Sequence, residues 1–223
     1  MTGAPLDAEA VVALSPVVPV VILEDEAHAV PLARALVAGG VGVIEVTLRT
    51  PAGLGSIRRI AAEVPEIVVG AGTLLDAAQG SAAAQAGAQF LVSPGSTSRL
   101  LDDLLGTGLP LLPGVATVSE ALAVRESGLR VMKFFPAAPA GGADYIRALA
   151  SPLPDVRFCP TGGIDERSAP AYLALPNVAC VGGSWLTPAG LLRAGDWAAI
   201  TALAARVTGW RTDGSDPSVR DGR

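Results

Sequence analysis

Short apolar runs recur along the chain every ~20 to 25 residues, each ending in Gly, Pro, Ser or Thr and each followed by an Ala/Leu-rich stretch with helical spacing. The runs at 17–22, 42–47, 67–71, 89–93, 109–113, 130–134, 156–161 and 177–181 read as strands. Helices fit between them at 25–39, 51–64, 76–86, 97–106, 117–127, 141–150, 165–174 and 188–195, with further helices at 7–14 and 196–208. Strand and helix in strict alternation mean parallel strands joined by helical crossovers. Eight such repeats predict a small TIM (β/α)8 barrel with a short N-terminal helix. The competing fold is a doubly wound open sheet, which normally uses fewer strands and is weakened by the lack of GxGxxG after the first strand. Residues 1–210 are read as one barrel domain, and polar, aperiodic 211–223 as a disordered tail.

Composition sharpens the picture at one residue. Of 16 Lys and Arg in 223 residues, Lys133 alone is lysine, and it sits inside the apolar run Val131-Met132-Lys133-Phe134-Phe135-Pro136. Arginine serves wherever a cation is enough, but it cannot lose its proton and attack a carbonyl; a desolvated lysine can. Lys133 is therefore a candidate for Schiff-base formation. The plain alternative is a strand-end lysine that snorkels to solvent. A net charge of −5 and the lack of any basic run argue against nucleic acid or an anionic membrane as partner. Cys159 and Cys180 lie in apolar runs, as buried reduced thiols do, and no zinc spacing is present. The single histidine, His28, is too little for a multi-histidine metal site and reads as a helix-surface residue. With no signal-like start and no apolar run of ~20 residues, the expected location is cytoplasmic.

In a barrel the carboxyl ends of the strands carry the chemistry. The second strand ends Glu45-Val46-Thr47-Leu48-Arg49, and period-two alternation puts Glu45, Thr47 and Arg49 on one face. Arg49 suits capture of a carboxylate and Glu45 suits proton transfer, although a purely structural ion pair between them would also satisfy both. The third strand ends Gly70-Ala71-Gly72-Thr73, where the Thr73 hydroxyl can bind the same carboxylate. Ser93-Pro94-Gly95 reads as turn punctuation, with Pro94 available as an apolar wall. Strands seven and eight end in Thr161-Gly162-Gly163 and Gly182-Gly183-Ser184. Two glycine-rich loops there suit a phosphate held by backbone amides, a helix dipole near Asp165 and a serine hydroxyl; tight turns without a ligand are the alternative. The substrate inferred is a 2-oxo acid with a phosphate at its far end. An iminium at its C2 would serve as electron sink for cleaving C3–C4, an aldol cleavage.

The stretches VIEVTLRT (43–50), VGAGTLLD (69–76), VSPGSTS (92–98), PLLPGVATVSE (110–120), KFFPA (133–137), RFCPTGGI (157–164) and GGSWL (182–186) together resemble the 2-keto-3-deoxy-6-phosphogluconate (KDPG) and 4-hydroxy-2-oxoglutarate (KHG) aldolase family, over residues 16–208. The resemblance implies a metal-free homotrimer of TIM barrels whose only covalent partner for substrate is Lys133. It implies Glu45 as general acid/base, Arg49 and Thr73 on the pyruvyl carboxylate, and Pro94 and Phe135 packed around the iminium. It implies Gly162, Gly163, Gly183 and Ser184 on the phosphate, and Thr161 at the C4 hydroxyl, where threonine rather than valine favours the gluconate epimer. The products would be pyruvate and glyceraldehyde 3-phosphate, in the Entner–Doudoroff route. Other readings of the same residues are a different phosphate-binding barrel enzyme in which Lys133 only neutralises the substrate, a non-catalytic phosphometabolite-binding barrel, and a pyridoxal phosphate barrel.

Overall fold

The computed structural model describes residues 6–210, so the tail expected at 211–223 lies outside the described residues. Helix α1 (Ala8–Ala13) precedes strand β1 (Val17–Val21); then follow α2 (Ala29–Ala38), β2 (Val43–Thr47), α3 (Ala52–Glu63), β3 (Val68–Gly72), α4 (Ala77–Gln85), β4 (Phe90–Val92) and α5 (Ser98–Leu105). The second half runs β5 (Leu111–Leu112), β6 (Gly114–Val115), α6 (Val118–Glu126), β7 (Val131–Phe134), α7 (Gly142–Leu149), β8 (Arg157–Pro160), α8 (Ala169–Leu173), β9 (Val181–Gly183), α9 (Ala189–Ala194) and α10 (Trp197–Val207). Helices α1, α4, α5, α6 and α10 start where short polar side chains accept from the first free amides: Asp7, Asp76, Thr97 and Asp196 each cap one, and Thr117 with Glu120 forms a capping box.

All strand pairs are parallel. One sheet has the order β5-β4-β3-β2-β1-β9 and the other β6-β7-β8. The sheet curls, because side chains from both sets of strands meet on one concave face: Val18, Val43, Phe90, Leu112, Val131 and Cys159 form one buried cluster. Alternate residues point the other way. Ile44, Val46, Met132 and Phe158 pack outward beneath the helices, with Leu32 and Leu36 of α2 and Ile57 and Ile60 of α3. Val11 and Val12 of α1 join the inner cluster, and Glu9 meets Arg157, the first residue of β8, at 3.6 Å. The short helix thus plugs the end where the strands begin. Apolar filling occupies that end, and the buried polar residues Glu45, Thr47, Lys133 and Thr161 lie toward the other.

Three expectations shift. The fifth run is two short strands rather than one, because Pro113 has no N–H to continue the ladder. The last run extends further than 177–181: Asn177 to Ala179 bond to Phe158 of β8, while Val181 to Gly183 pair with β1. The helix expected from 165 starts only at Ala169, because Asp165 and Ser168 close a turn on each other and Pro170 fits only a first helical turn. His28 ends a 3₁₀ turn and is half-buried, its ring edge-on to Trp197 at 5.6 Å. No described helix is long and apolar enough to cross a membrane.

Cys159 and Cys180 are free and buried on the concave side. A hydrogen bond with Cys159, followed by burial, holds the Cys180 thiol well above the usual thiol range. An unfolded chain ionises its thiols from about pH 8.5, whereas the folded chain keeps Cys180 protonated, so unfolding releases a proton and stability falls as pH rises past that value. The expected outcome is a melting temperature that declines above about pH 8.5, with a shallower decline in Cys180→Ala, measured by thermal scans of both proteins across alkaline pH.

Candidate active site

Lys133 and Glu45 come from strands far apart in sequence, β7 and β2, and meet on the concave face. Lys133 Nζ donates to Glu45 Oε1 at 3.1 Å and lies 3.4 Å from Oε2. Their side chains are 5% and 4% exposed, while the other ion pairs among the described residues have a partner at least 39% exposed. Burying either charge alone would be prohibitive; together each satisfies the other. The Phe135 ring centroid lies 5.5 Å from Nζ, within cation–π range.

The room for Glu45 comes from the neighbouring strand. A Cβ on Gly72 would stand 2.0 Å from Glu45 Oε1, so any larger residue there would push the carboxylate off its position. Thr47, the next inward residue of β2, is fully buried and donates its hydroxyl to the Val21 carbonyl at 3.0 Å, tying β2 to β1. Arg49 and Thr73 follow the ends of β2 and β3. Arg49 Nε donates to Thr73 Oγ1 at 3.1 Å, which joins the two residues expected to share a carboxylate. The structural ion pair between Glu45 and Arg49 does not form; Glu45 pairs with Lys133 instead. Thr73 has φ +64°, a left-handed conformation that is costly for a β-branched residue and tends to persist at functional turns. It is held from both sides: Leu48 N–H donates to the Gly72 carbonyl at 2.9 Å and Leu74 N–H to the Val92 carbonyl at 3.2 Å.

A cavity of about 160 Å³ opens beside this group. Seven of the predicted site residues line it: Arg49, Phe135, Thr161, Gly162, Gly163, Gly183 and Ser184. Thr161 is buried and its hydroxyl donates to the Cys159 carbonyl at 3.3 Å, while Gly162 and Gly163 take φ values of +99° and +74° that only glycine adopts freely. The loop is braced by Ala137 and Ala138, whose amides donate to the Thr161 and Gly162 carbonyls at 2.7 and 3.0 Å. The helix dipole expected behind the paired glycines is displaced, since α8 begins only at Ala169. Lys133, Glu45, Thr73 and Pro94 are not on the cavity wall; the first two lie deeper, and the Pro94–Gly95 peptide rests on Gly114. The cavity adds Gly182, already part of the glycine-rich end of the last strand, and Val20, Ile22 and Ile164, which sequence reasoning missed because it sought polar groups. Ile22 carried a signal, as an apolar residue at a strand's carboxyl end, and it is 43% exposed. Among the described residues, no three His, Cys, Asp or Glu side chains gather in a metal-binding group.

Known proteins are similar to this chain over nearly the whole of the described span. The family model for KDPG and KHG aldolase matches residues 8–203. The KHG/KDPG aldolase of Escherichia coli is 52% identical over 197 residues, covering 88% of this chain and 92% of that protein. Among solved structures, the KDPG aldolase of Legionella pneumophila, with pyruvate captured at low pH as a covalent carbinolamine intermediate, superposes with a TM-score of 0.89 at 44% identity, covering 92% of this chain and 99% of that one. The 2-keto-3-deoxy-6-phosphogluconate aldolase of Zymomonas mobilis, with 3-phosphoglycerate, gives a TM-score of 0.89 at 47% identity, covering 95% and 99%. With a family match running from the first helix into the last, and an identity near one half over most of both chains, this chain belongs to the KDPG and KHG aldolase family.

Proposed function

We propose that this protein is a class I aldolase, a carbon–carbon lyase that cleaves 2-keto-3-deoxy-6-phosphogluconate to pyruvate and glyceraldehyde 3-phosphate, and 4-hydroxy-2-oxoglutarate to pyruvate and glyoxylate. The observation that carries the reading is the buried amine of Lys133, 3.1 Å from the Glu45 carboxylate and next to a cavity with Arg49 on one side and a glycine-rich loop pair on the other. The carbinolamine captured in the Legionella relative supports covalent chemistry of this class.

Lys133 passes a proton to Glu45 and its amine attacks the C2 carbonyl, giving a carbinolamine. Glu45 returns the proton to the departing hydroxyl, water leaves, and the iminium forms. A base removes the C4 hydroxyl proton, the C3–C4 electron pair flows into the iminium, and the aldehyde departs. The enamine takes a proton at C3, and hydrolysis releases pyruvate and the amine. Glu45 suits each of these transfers because its carboxylate already shares a hydrogen bond with Nζ. Arg49, aligned by Thr73, holds the pyruvyl carboxylate through its guanidinium nitrogens. Pro94 and Phe135 shield the iminium from water, and Thr161 orients the C4 hydroxyl. Gly162, Gly163, Gly183 and Ser184 bind the phosphate through backbone amides and a hydroxyl.

We further infer that the described residues form one domain in which the two sheets are arcs of a single eight-stranded TIM barrel. The Phe158–Val178 and Thr161–Gly182 bridges link β8 to the last strand, and β5 and β6 join through Pro113. A cytoplasmic homotrimer that works without a metal is part of the same reading.

Reduction with borohydride in the presence of pyruvate is expected to add one pyruvate-derived mass, mapping to Lys133. Lys133→Arg is expected to lose both the adduct and more than about a thousandfold in kcat, because arginine cannot form the iminium. An arginine variant that keeps appreciable turnover would point to a non-covalent phosphate-binding barrel. Ser184→Ala is expected to raise KM for the phosphorylated substrate about tenfold, the scale of one lost hydrogen bond to an anion, with little change for 4-hydroxy-2-oxoglutarate. Equal effects in steady-state assays of the two substrates would remove Ser184 from the phosphate site.

A further inference from the structure

A break in the strand ladder lies directly beside Lys133. At Pro113 the chain changes partners: β5 pairs with β4 through Leu91–Leu111 and Val92–Leu112, whereas β6 pairs with β7 through Gly114–Lys133 and Val115–Phe134. Pro113 has no N–H to contribute, although its carbonyl accepts from Lys133 N–H at 2.9 Å. Without another tie, β6 and the strand that carries Lys133 could slide relative to β4.

Two serines supply the tie. Gly114 N–H donates to Ser93 Oγ at 3.3 Å, and Ser96 Oγ donates to the Gly114 carbonyl at 2.9 Å. Ser93 N–H also donates to the Leu112 carbonyl at 3.3 Å, so Ser93 spans the proline break from both sides. Ser93 is 1% exposed, a burial that a hydroxyl tolerates only with a partner. Between the two serines, the Pro94–Gly95 peptide is pressed onto Gly114, where an added Cβ would stand 2.3 Å from the Pro94 carbonyl carbon. Both polar groups of the residue opposite Lys133 are thus held by the same loop that presents Pro94.

We infer that Ser93 and Ser96 are positioning residues for the Schiff-base lysine: by clasping Gly114 they fix β6, and β7 paired with it, against β4, and with it the placement of Lys133 Nζ against Glu45 and of Pro94 beside the iminium. The inference rests on the aldolase reading above. A displaced amine slows the attack on C2, and a misplacement of about 1 Å at a reacting group is enough to matter. Neither serine needs to touch the substrate.

The test is the rate of borohydride-trapped pyruvate adduct formation on Lys133, together with steady-state kcat and KM, in wild type, Ser96→Ala and Ser96→Thr. Ser96 is the primary site because it is only half-buried, and thermal melts check that each variant is folded. Ser96→Ala is expected to form the adduct and turn over about tenfold more slowly, with KM within about twofold of wild type, while Ser96→Thr, which keeps the hydroxyl, restores most of the rate. Ser93→Ala is expected to show the same kcat-weighted loss together with a lower melting temperature. An alanine variant at the wild-type rate, a threonine variant as slow as alanine, or a loss confined to KM would overturn the clasp. Wild-type protein that forms no adduct would overturn the aldolase reading itself, a failure distinguishable from that of the clasp because it does not depend on the variants.

Discussion

The ion pair between Lys133 and Glu45 is the constraint around which the rest of this molecule is arranged. Two opposite charges out of water are tolerable only while they hold one another, and removing one partner of such a pair costs about 3–5 kcal/mol because the other is left buried and uncompensated. The pair therefore demands that β2 and β7, 88 residues apart in sequence, keep a fixed relation. Glycine at position 72 leaves the space for the carboxylate, and the Thr47 hydroxyl bonds β2 to β1. The apolar cluster beneath, plugged by Val11 and Val12, keeps water from the other end of the concave face. A buried pair of this kind does little for stability relative to a packed apolar one, so its presence is better explained by chemistry than by folding.

Around the pair, the sheet uses side chains wherever the backbone ladder fails. At Pro113 the missing amide is bypassed by Ser93 and Ser96. At the last strand, residues 177–179 serve β8 and residues 181–183 serve β1, and the Asn177 side chain donates to the Ile146 carbonyl at 2.7 Å where that change begins. At the end of β3, the left-handed Thr73 is stabilised by amide bonds on either side. Each irregularity falls at the carboxyl ends or the junctions of strands, where regular pairing gives way to loops that carry polar groups into the cavity.

The alternation of apolar runs and helical stretches was sufficient to locate nearly every element to within a few residues, because each strand buries both faces and each helix buries one stripe. The errors arose where a specific residue overrode periodicity. Pro113 divided a strand, and the Asp165–Ser168 turn with Pro170 delayed a helix; the last strand continued through Gly182 and Gly183, which an apolar criterion cannot register. The candidate site was legible to a similar degree. A lone lysine in an apolar strand pointed to the buried amine, and Arg49 with the glycine-rich ends of two late strands named most of the cavity wall, while Val20, Ile22 and Ile164 were overlooked because apolar residues at strand ends look like core.

By itself the sequence determined which residues are chemically able to act: a single amine in an apolar setting, a carboxylate and a guanidinium on one strand face, and glycine-rich turns suited to an anion. It also determined the parallel strand–helix order, since hydrophobic period is a local property. Only the tertiary structure decided which carboxylate and which cation share a charge. Glu45 and Arg49 lie four residues apart on one face, where an ion pair between them was the structural alternative, yet the curl of the sheet brings Lys133 to Glu45 and leaves Arg49 bonded to Thr73. Pairing of that kind depends on strand register and on the direction of buried side chains, which are fixed by packing across the whole concave face and have no signature in any short stretch of sequence.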